Sequence, residues 1–433
     1  MAETRCSVTE AVISFYQSTD VTQIWVAFSG GLDSTVLLNA LVEQKPAEVN
    51  LKALHIHHGL QPQADDWLVH CQQIAESLNV EFIGHKVRVD STQNLEAAAR
   101  QARYQAFQQI LADGEIILTA HHLRDQAETF LLNLMRGAGL AGLGAMSSQR
   151  ILTLNPEKQA WLARPLLTVD YQAMQNYAHQ RALKWIEDPM NQQMDYRRNF
   201  IRHQVLPLFN QAWSKPELKI AQTAAHCSES DQLLIALAQI DLKAVDHGAD
   251  CLNWQAMQTF EWHRQKNILR YWFNHYHQIR LSQTDLDWFK NECFNASPNA
   301  QPQRILAGKK VKRFKRFIFY LVESKQEINL LWSEGLDLNI ISSALVPSLG
   351  KGIAQSWFDP KNTIEIRSLK PTDKVQRGAL KKWFQQQAIP PWQRTQWPVI
   401  VINGQLAAIR DYRVFEPFKA KPEQMGANFV ALN

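Results

Sequence analysis

The first half of the chain is predicted to fold as an α/β domain built on a doubly wound parallel sheet. Short runs rich in apolar residues, typical of strands in such a sheet, occur at 24–28, 51–56, 80–83 and 116–120. Segments with apolar residues at helical spacing separate these runs, and strands that alternate with helices favour parallel pairing. Because ligands of such sheets bind beyond the carboxyl ends of the strands, the residues that follow each run are candidates for a site.

The loop after the first predicted strand is the strongest candidate for a binding site. It reads Ser29-Gly30-Gly31-Leu32-Asp33-Ser34 and leads directly into a predicted helix. Adjacent glycines permit backbone angles and a close approach that a Cβ would prevent, so several N–H groups can bind one anion. The spacing matches neither the Walker loop GxxxxGK[ST] nor the dinucleotide motif GxGxxG. A glycine-rich turn in which Asp33 and Ser34 only cap the helix is the alternative.

Two acidic residues follow the fourth predicted strand. Asp125 and Glu128 lie one helical turn apart in the segment HHLRDQAE, which starts at His121. Neighbouring carboxylates at a ligand-binding edge suit an ammonium group. Spacing alone favours a different interpretation, surface acids in the first turn of a helix, where the helix dipole stabilises negative charge. The histidines at the strand ends are expected to be packed and hydrogen-bonded, because no third ligand at suitable spacing completes a metal site.

Composition limits the class of protein. The chain has 433 residues, of which 45% are hydrophobic and 20% are charged, as expected for a globular chain of two or three domains. Five scattered cysteines without a CxxC pair indicate neither a disulfide framework nor a zinc or iron–sulfur site, and they fit a reducing cytoplasm. Because no run of 18 apolar residues and no signal-peptide pattern occurs, we expect neither a membrane span nor a secretion signal.

Changes in the residue pattern predict three domains, 1–212, 217–325 and 327–433. The second domain is expected to be mainly helical, because 217–245 and 254–277 read as long helices rich in Ala, Leu, Trp and His. The third is expected to be a small α+β domain, because short strands alternate with Gly and Pro turns. A hairpin is predicted at Asn403-Gly404, a dipeptide typical of two-residue turns.

Basic residues cluster in the later part of the chain, although the net charge of the whole is only +5. In the second domain they are Lys309, Lys310, Lys312, Arg313, Lys315 and Arg316. In the third domain they include Arg377, Lys381 and Lys382. Such clusters suit contacts with the phosphates of a nucleic acid, and a solvated face of a strand or helix is the alternative.

Six segments in this order resemble the tRNA(Ile)-lysidine synthetases. They are SGGLDS from residue 29, HIHHGL from 55, NLEAAARQARY from 94, AHHLRDQAETFLLNLMRGAGLAGLGAM from 120, WIEDPMN from 185 and RRNFIRHQVLP from 197. SGGxDS alone is similar to the pyrophosphatase (PP) loop of the N-type ATP enzymes, whereas the six segments together specify the family. The resemblance is close over the first 210 residues and looser beyond them. It implies an adenine nucleotide alpha hydrolase-like sheet in the first domain.

The resemblance implies a two-step reaction on the wobble cytidine of tRNA(Ile) with the anticodon CAU. The cytosine carbonyl oxygen attacks the α-phosphate of ATP, diphosphate leaves, and the ε-amine of L-lysine then displaces AMP. The product is lysidine, which changes codon reading from AUG to AUA and identity from Met to Ile. Adenylation is needed because a carbonyl carbon accepts an amine only once its oxygen has become a good leaving group.

The resemblance also implies roles for individual residues. Asp33, Arg103 and Arg198 are the implied catalytic residues, Asp33 binds Mg²⁺, and Asp125 and Glu128 bind lysine. Arg198 helps to hold the substrate or to polarise the reacting centre. The basic clusters of the second and third domains are expected to contact the tRNA. The residues implied for ATP binding are Ser29, Gly30, Gly31, Leu32, Asp33, Ser34 and Arg103.

Two further classes of function compete with this ligase. One is another PP-loop enzyme, either a tRNA thiolase or a small-molecule amidotransferase; the missing cysteine pair argues against cluster-dependent thiolation, and a small acceptor needs no basic C-terminal domains. The other is a tRNA-binding protein without catalysis, in which an intact SGGLDS loop would have no purpose. The sequence leaves the oligomeric state open, with a homodimer as one option.

Overall fold

The computed structural model describes residues 7–429 with nine gaps, at 60–61, 90–94, 156, 193–195, 298–299, 322–328, 333–344, 360 and 388. Contacts within the chain divide it into two compact units, Met1–Ala236 and Leu237–Asn433. Within the described ranges, no helix combines the length and the apolar character needed to cross a bilayer.

The first unit is built on a six-stranded sheet with the strand order β3-β2-β1-β4-β6-β5. Five neighbouring strands are parallel, which confirms the predicted doubly wound sheet, and β5 pairs antiparallel with β6 at one edge. The edge strand β5 was not predicted, because four of its five side chains are exposed and give no apolar pattern. The strands are β1 Gln23–Ala27, β2 Asn50–His57, β3 Glu81–Lys86, β4 Ile116–Leu118, β5 Gln149–Thr153 and β6 Gln159–Ala163.

Apolar side chains cover both faces of this sheet. In β1, Ile24 and Val26 pack into the layer that contains α1, α2, α3 and α7, whereas Trp25 packs with Phe107 of α4 on the opposite face. This two-sided burial explains the continuous apolar run of the strand. The helices are α1 Val8–Gln17, α2 Leu32–Glu43, α3 Ala64–Ser77, α4 Leu95–Ile110, α5 Leu123–Met135, α6 Leu140–Leu143 and α7 Tyr171–Gln180.

The chain adds β2 and then β3 on one side of β1, and it adds β4 on the other side, so the order of the strands switches at β1. In an open α/β sheet this switch point opens a crevice at the carboxyl ends of the two strands. The loop 29–34 follows β1 and the segment 119–122 follows β4, so both lie at the crevice. Behind it, α8 Arg197–Phe200 continues through a π turn, Ile201–Val205, into α9 Leu206–Ala212.

The second unit begins within α10 Pro216–Leu242 and contains a four-stranded sheet of order β7-β10-β9-β8 packed against helices. The prediction of a mainly helical domain omitted this sheet. The long helix predicted over 254–277 is wrong in its middle, because residues 258–261 separate α11 from α12. The elements are β7 Cys251–Asn253, α11 Trp254–Met257, α12 Trp262–His277, α13 Gln283–Trp288, β8 Gln303–Leu306, β9 Lys309–Phe314 and β10 Phe317–Leu321.

The last hundred residues form two antiparallel sheets, of orders β11-β14-β15-β16-β17 and β12-β18-β13. The predicted Asn403-Gly404 hairpin joins β15 to β16, and both of its turn residues have positive φ, 50° and 77°. The elements are β11 Asn329–Trp332, β12 Leu345–Leu349, β13 Ile353–Ala354, β14 Ile364–Ser368, α14 Arg377–Gln386, α15 Pro391–Arg394, β15 Pro398–Ile402, β16 Gln405–Ile409, β17 Arg413–Val414 and β18 Met425–Phe429.

Candidate active site

The loop between β1 and α2 is held in place at Gly30. This residue has a φ of 80°, and a Cβ added to it would lie 2.7 Å from Cys71 Sγ and 2.8 Å from Ile186 Cδ1. Ile186 N–H also donates to the Gly30 carbonyl oxygen at 2.8 Å. Backbone angle and space therefore both require glycine at this position. Gly31 has a φ of −73°, which any residue adopts, so a close approach of ligand would be the physical reason for glycine there.

The loop gathers hydrogen-bond donors around one point. Ser29 Oγ and Ser34 Oγ lie 3.0 Å apart, and Ser34 Oγ also donates to the Gly31 carbonyl oxygen at 3.1 Å. Helix α2 begins at Leu32, so its first amides have no partner within the helix. Hydroxyls, free amides and the positive end of a helix dipole together suit an anion such as a phosphate.

Asp33 adds a carboxylate to this anion-binding loop. Its side chain is 38% exposed, yet its Oδ1 is buried and has no hydrogen-bond partner among the described residues. Within the same ranges, no group of three or more His, Cys, Asp and Glu side chains could hold a metal ion by itself. Mg²⁺ typically binds one or two carboxylates together with substrate phosphates and water. The unpaired oxygen of Asp33 therefore fits a cation that is shared with a bound triphosphate.

His122 connects Asp33 to the acidic pair of α5. It is buried and caps the helix, with Nδ1 accepting from the Arg124 N–H at 3.2 Å. Its Nε2 lies 3.6 Å from Asp33 Oδ2 and 3.5 Å from Asp125 Oδ2. Burial alone would lower the pKa of His122, but the negative charges of Asp125 and Asp33 raise it above its ordinary value. His122 therefore contacts both the loop and the acidic pair, so the two belong to one site.

Asp125 and Glu128 are buried, so the interpretation as surface acids is wrong. Arg198 Nε lies 2.6 Å from Glu128 Oε2 and its Nη2 lies 2.8 Å from Asp125 Oδ1. Arg202 Nε lies 2.6 Å from Glu128 Oε1 and its Nη2 lies 3.2 Å from Asp125 Oδ1. Burial alone would raise the pKa of Asp125, but the positive charges of His122 and Arg198 lower it. Asp125 is therefore held in its ionised form, and both carboxylates are already paired with guanidinium groups.

Arg202 is the one residue of this cluster that was not predicted to belong to the site. The sequence does contain a feature that indicates its position. Arg202 follows Arg198 by four residues, so in a helix the two side chains lie on the same face. It lies in the π turn Ile201–Val205, an irregularity that is frequent at functional sites. Burial alone would lower the pKa of Arg202, but the charge of Glu128 raises it. The acidic pair thus has two guanidinium partners, neither of which was predicted to pair with it.

Arg103 of α4 is exposed at the same edge of the sheet. Burial, followed by the positive charge of Arg103, lowers the pKa of His58 to about 4. His55 Nδ1 contacts the Phe28 carbonyl oxygen at 2.9 Å, and His121 Nδ1 contacts Thr119 Oγ1 at 2.9 Å. His55 and His121 are therefore hydrogen-bonded, as expected, whereas His58 Nδ1 is buried without a hydrogen-bond partner among the described residues. Arg103 supplies a positive charge beside His58.

In the second unit, the structure corrects the role expected of Arg313. Strand β9 alternates, with Val311 and Arg313 pointing into the core and Lys310 and Lys312 pointing outward. The Arg313 guanidinium is 1% exposed and donates to the carbonyl oxygens of Cys293, Ala296 and Ser297. It therefore holds the chain after α13 and cannot reach a phosphate. The other predicted cations are more accessible, namely Lys309, Lys310, Lys312, Lys315, Arg316, Arg377, Lys381 and Lys382.

Three family models match the chain in the order of these folded parts. A PP-loop domain matches residues 5–209, a TilS substrate binding domain matches 252–319, and a TilS substrate C-terminal domain matches 366–430. The first match contains the loop, the acidic pair and both arginines of the site. The second contains the basic hairpin of β9 and β10.

Curated relatives match over most of the chain. The tRNA(Ile)-lysidine synthase of Hydrogenovibrio crunogenus is 38% identical over 402 residues, which cover 92% of this chain and 95% of that protein. The tRNA(Ile)-lysidine synthase of Coxiella burnetii is 35% identical over 420 residues, covering 93% of this chain and 92% of that protein. The tRNA(Ile)-lysidine synthase of Histophilus somni is 35% identical over 399 residues, which cover 88% of this chain and 92% of that protein.

Proposed function

The chain belongs to the tRNA(Ile)-lysidine synthase family, and from this we propose that it joins L-lysine to the wobble cytidine of tRNA(Ile) with a CAU anticodon. It is an ATP-dependent ligase that forms lysidine. The observation that carries the detailed proposal is the juxtaposition of an anion-binding loop and a buried acidic pair through His122. One part suits the phosphates of ATP and the other suits an ammonium group.

In the first step, the cytosine carbonyl oxygen attacks the α-phosphorus, and the bond to the β-phosphate oxygen breaks. The loop amides and the hydroxyls of Ser29 and Ser34 would hold the departing diphosphate, because donors fixed where charge develops stabilise the transition state. Arg103 would neutralise charge on the nucleotide from the rim of the sheet. Asp33 would hold Mg²⁺, which supplies neutralisation of the phosphate charge when it is bound.

In the second step, the ε-amine of lysine attacks the ring carbon, the bond from that carbon to the adenylated oxygen breaks, and AMP leaves. We infer that Asp125 and Glu128 bind an ammonium group of lysine. Since Arg198 and Arg202 already occupy the oxygens of Glu128, the ammonium would replace one guanidinium. The displaced arginine would then be free to contact the adenylated nucleotide.

A thiolase is disfavoured by the state of the cysteines as well as by the relatives. Sulfur transfer uses a thiolate, which requires an exposed cysteine with a depressed pKa. Burial raises the pKa of Cys71, Cys251 and Cys293 to about 12. None of these three thiols is therefore a candidate for sulfur transfer.

The proposed function is tested by one incubation of the protein with ATP, MgCl₂, radiolabelled L-lysine and a tRNA(Ile) transcript with a CAU anticodon. We expect lysine to become bound to the RNA with release of one diphosphate per lysine. A tRNA(Met) transcript with the same anticodon serves as the control. Repeated ATP turnover in the absence of lysine, beyond one diphosphate per tRNA, would contradict the proposal, and so would RNA without label.

We further propose that the second unit binds the tRNA and that the reaction takes place in the cytoplasm. The basic hairpin of β9 and β10 provides a matched pair of variants. Lys310→Gln with Lys312→Gln should weaken tRNA binding and lower the slope of log Kd against log salt by about 2, because each lost phosphate contact removes about one released counterion. Tm should fall only slightly, because Lys312 lies 5.1 Å from the centre of the Trp392 ring and an exposed cation–π contact of this kind contributes about 0.5 to 1 kcal/mol.

Arg313→Met should lower the stability of the fold and leave the salt dependence of tRNA binding unchanged. It leaves the carbonyl oxygens of Cys293, Ala296 and Ser297 without the donor that holds them, which should destabilise the folded state by about 3 kcal/mol and lower Tm. At a temperature where the variant is folded, the salt slope of tRNA binding should match that of the wild type. Filter binding at several salt concentrations and calorimetry measure both quantities. A lower slope for Arg313→Met would show that its charge does reach the RNA.

A further inference from the structure

Three arginines of the first domain gather around Tyr104 of α4, and the reaction described above uses none of them. The guanidinium carbon of Arg150 lies 4.4 Å from the centre of the Tyr104 ring, and that of Arg100 lies 5.5 Å from it. The charge of Arg164 interacts with the phenol of Tyr104 and with both other guanidinium groups. Arg100, Arg150 and Arg164 therefore form one group of positive charges, here named the Tyr104 cluster.

The sheet brings these residues together from distant parts of the sequence. Arg164 directly follows the carboxyl end of β6, and Arg150 of β5 is paired with Leu162 near the same end. Arg150 points to the same face of the sheet as Leu152, which packs in the layer that contains α4. Because a helix between two parallel strands runs back along the sheet, the first half of α4, with Arg100, lies at this edge too. The Tyr104 cluster is thus at the edge of the sheet where ligands bind.

No carboxylate balances the Tyr104 cluster in the part of the chain that the structure describes. Other arginines of the same domain do have acidic partners. Arg181 pairs with Glu43, and Arg198 and Arg202 pair with the acidic residues of α5. Like charges that are held close together repel one another. A bound anion would remove this repulsion, so the cluster is suited to a negatively charged ligand.

Arg164 supplies charge to the cluster without touching the ligand, because it is only 4% exposed. Its Nη1 donates to the Ser147 carbonyl oxygen at 2.7 Å, whereas its Nε is buried and has no hydrogen-bond partner within the described ranges. Burial lowers the pKa of Arg164, and the positive charges of Arg150 and Arg100 act in the same direction, against a stabilising effect of Tyr104. A buried cation without a carboxylate is unfavourable in the free protein. An anion above it would stabilise it.

Arg100 and Arg150 form the accessible surface of the cluster, since both side chains are exposed. A guanidinium presents its N–H groups as a planar fork that matches two oxygens of one phosphate. The Tyr104 ring lies beside both guanidinium groups and is only partly exposed, so it offers little surface for a stacked base. The cluster therefore suits the phosphates of a nucleic acid and not its bases.

The position of the cluster distinguishes it from the site of ATP. Strands β6 and β5 lie beyond β4 as seen from β1, which carries the loop 29–34. Neighbouring strands are about 4.8 Å apart, so β6 and β5 are roughly 10 and 14 Å from β1. A triphosphate bound at the loop occupies the crevice between β1 and β4. An RNA whose reacting base lies in this crevice continues past it, and its backbone can reach the cluster.

We propose that the Tyr104 cluster binds phosphates of the anticodon loop that flank the wobble cytidine. Arg100 and Arg150 contact the phosphate oxygens, and Arg164 acts through its buried charge. These contacts fix the backbone so that the cytosine carbonyl oxygen faces the α-phosphorus of ATP. The inference rests on the proposed function in that tRNA is the substrate, and it adds an RNA-binding site in the first domain to the basic clusters of the second unit.

Arg150→Gln and the control Lys158→Gln test this site in the full-length protein. Lys158 is an exposed cation in the turn of the same hairpin, at the opposite end of β5 and β6. The probe is an RNA hairpin that carries only the anticodon stem and loop of tRNA(Ile). Arg150→Gln should weaken its binding and lower the slope of log Kd against log salt by about 0.7 to 1, and Arg100→Gln should do the same. Lys158→Gln should bind as the wild type does. Equal slopes for Arg150→Gln and Lys158→Gln would overturn the proposal.

KM for ATP separates the two sources of phosphate. Arg150→Gln should leave this constant unchanged, because the triphosphate lies at the loop. A raised KM for ATP with unaltered binding of the hairpin would assign the cluster to the nucleotide and overturn the proposal. Tm should change little, since the variant loses a contact with Tyr104 and also a repulsion. Hairpin binding is measured without ATP or lysine, so a wild type that forms no lysidine would refute the proposed function and leave this inference standing.

Hairpins with one uncharged phosphate locate the contact. In each of them a single loop phosphate is replaced by a methylphosphonate. With the wild type, replacement next to the wobble cytidine should weaken binding. The same hairpin should bind Arg150→Gln with little further loss, because the two changes remove one contact. Replacement in the stem serves as the control. Losses that multiply at every loop position would show that the cluster does not contact the flanking phosphates.

Discussion

Adenylation should be lost when Asp33 is replaced by Asn. The variant keeps the shape of the side chain but removes the negative charge that fits a cation shared with ATP, and its Oδ1 is the unpaired oxygen of the loop. We expect diphosphate release to fall roughly 10²- to 10³-fold, the usual effect of removing a group that stabilises phosphate charge in the transition state. Affinity for tRNA should be nearly unchanged. Single-turnover diphosphate release and filter binding measure the two quantities.

Asp65→Asn is the matched control for this variant. Asp65 lies in the same domain, is exposed, and pairs with Lys86 and His57, neither of which belongs to the loop. It should release diphosphate at the wild-type rate. If Asp33→Asn released diphosphate at a comparable rate across a titration of MgCl₂, Asp33 would have no part in binding the cation.

Glu128→Gln should separate the two steps of the reaction. The amide oxygen of the glutamine can still accept a hydrogen bond from one arginine. The substitution, however, removes one of the two negative charges that would hold the lysine ammonium. We expect adenylation of the tRNA to continue, whereas KM for lysine should rise at least about a hundredfold, the scale of a lost buried charge pair. Diphosphate release without lysine incorporation is the measurement, and the adenylated tRNA should accumulate.

Two checks accompany this variant. Glu43→Gln removes an acid that pairs with Arg181 at the surface of the same domain and should leave KM for lysine unchanged. Because Arg202 and Arg198 would be left partly unpaired in Glu128→Gln, Tm must be measured, and a decrease is expected. A variant that stayed folded and used lysine with an unaltered KM would remove Glu128 from the lysine site.

Local patterns sufficed for the parallel strands of the sheet and for the position of the glycine-containing loop. The apolar run of β1, the glycine pair and the strand-end histidines are features of neighbouring residues, so periodicity and spacing revealed them. Residues whose role depends on distant contacts were harder to predict. The partners of Arg313 are the carbonyl oxygens of residues 293, 296 and 297. A cluster of basic residues in the sequence does not show that one of its side chains points into the core. The alternation with buried Val311 was the available signal.

The acidic pair illustrates the same limit. Spacing alone favoured surface acids for Asp125 and Glu128, because their burial depends on the helix that carries Arg198 and Arg202, about seventy residues later. The sheet of β7 to β10 was missed because β9 alternates lysines with core residues and has little apolar character. Long-range pairing, and not local propensity, decides these features.

Cys71 lies immediately beneath Gly30, at the bend where the substrate triphosphate is expected to bind. A sulfenic acid or a glutathione adduct on this sulfur would push the bend outward. Oxidation of Cys71 would therefore be expected to disturb the loop and lower the activity of the enzyme. Burial holds the thiol in its protonated form, which reacts slowly with peroxide and disulfides. The translation of AUA codons should therefore withstand oxidants that inactivate enzymes with exposed thiolates.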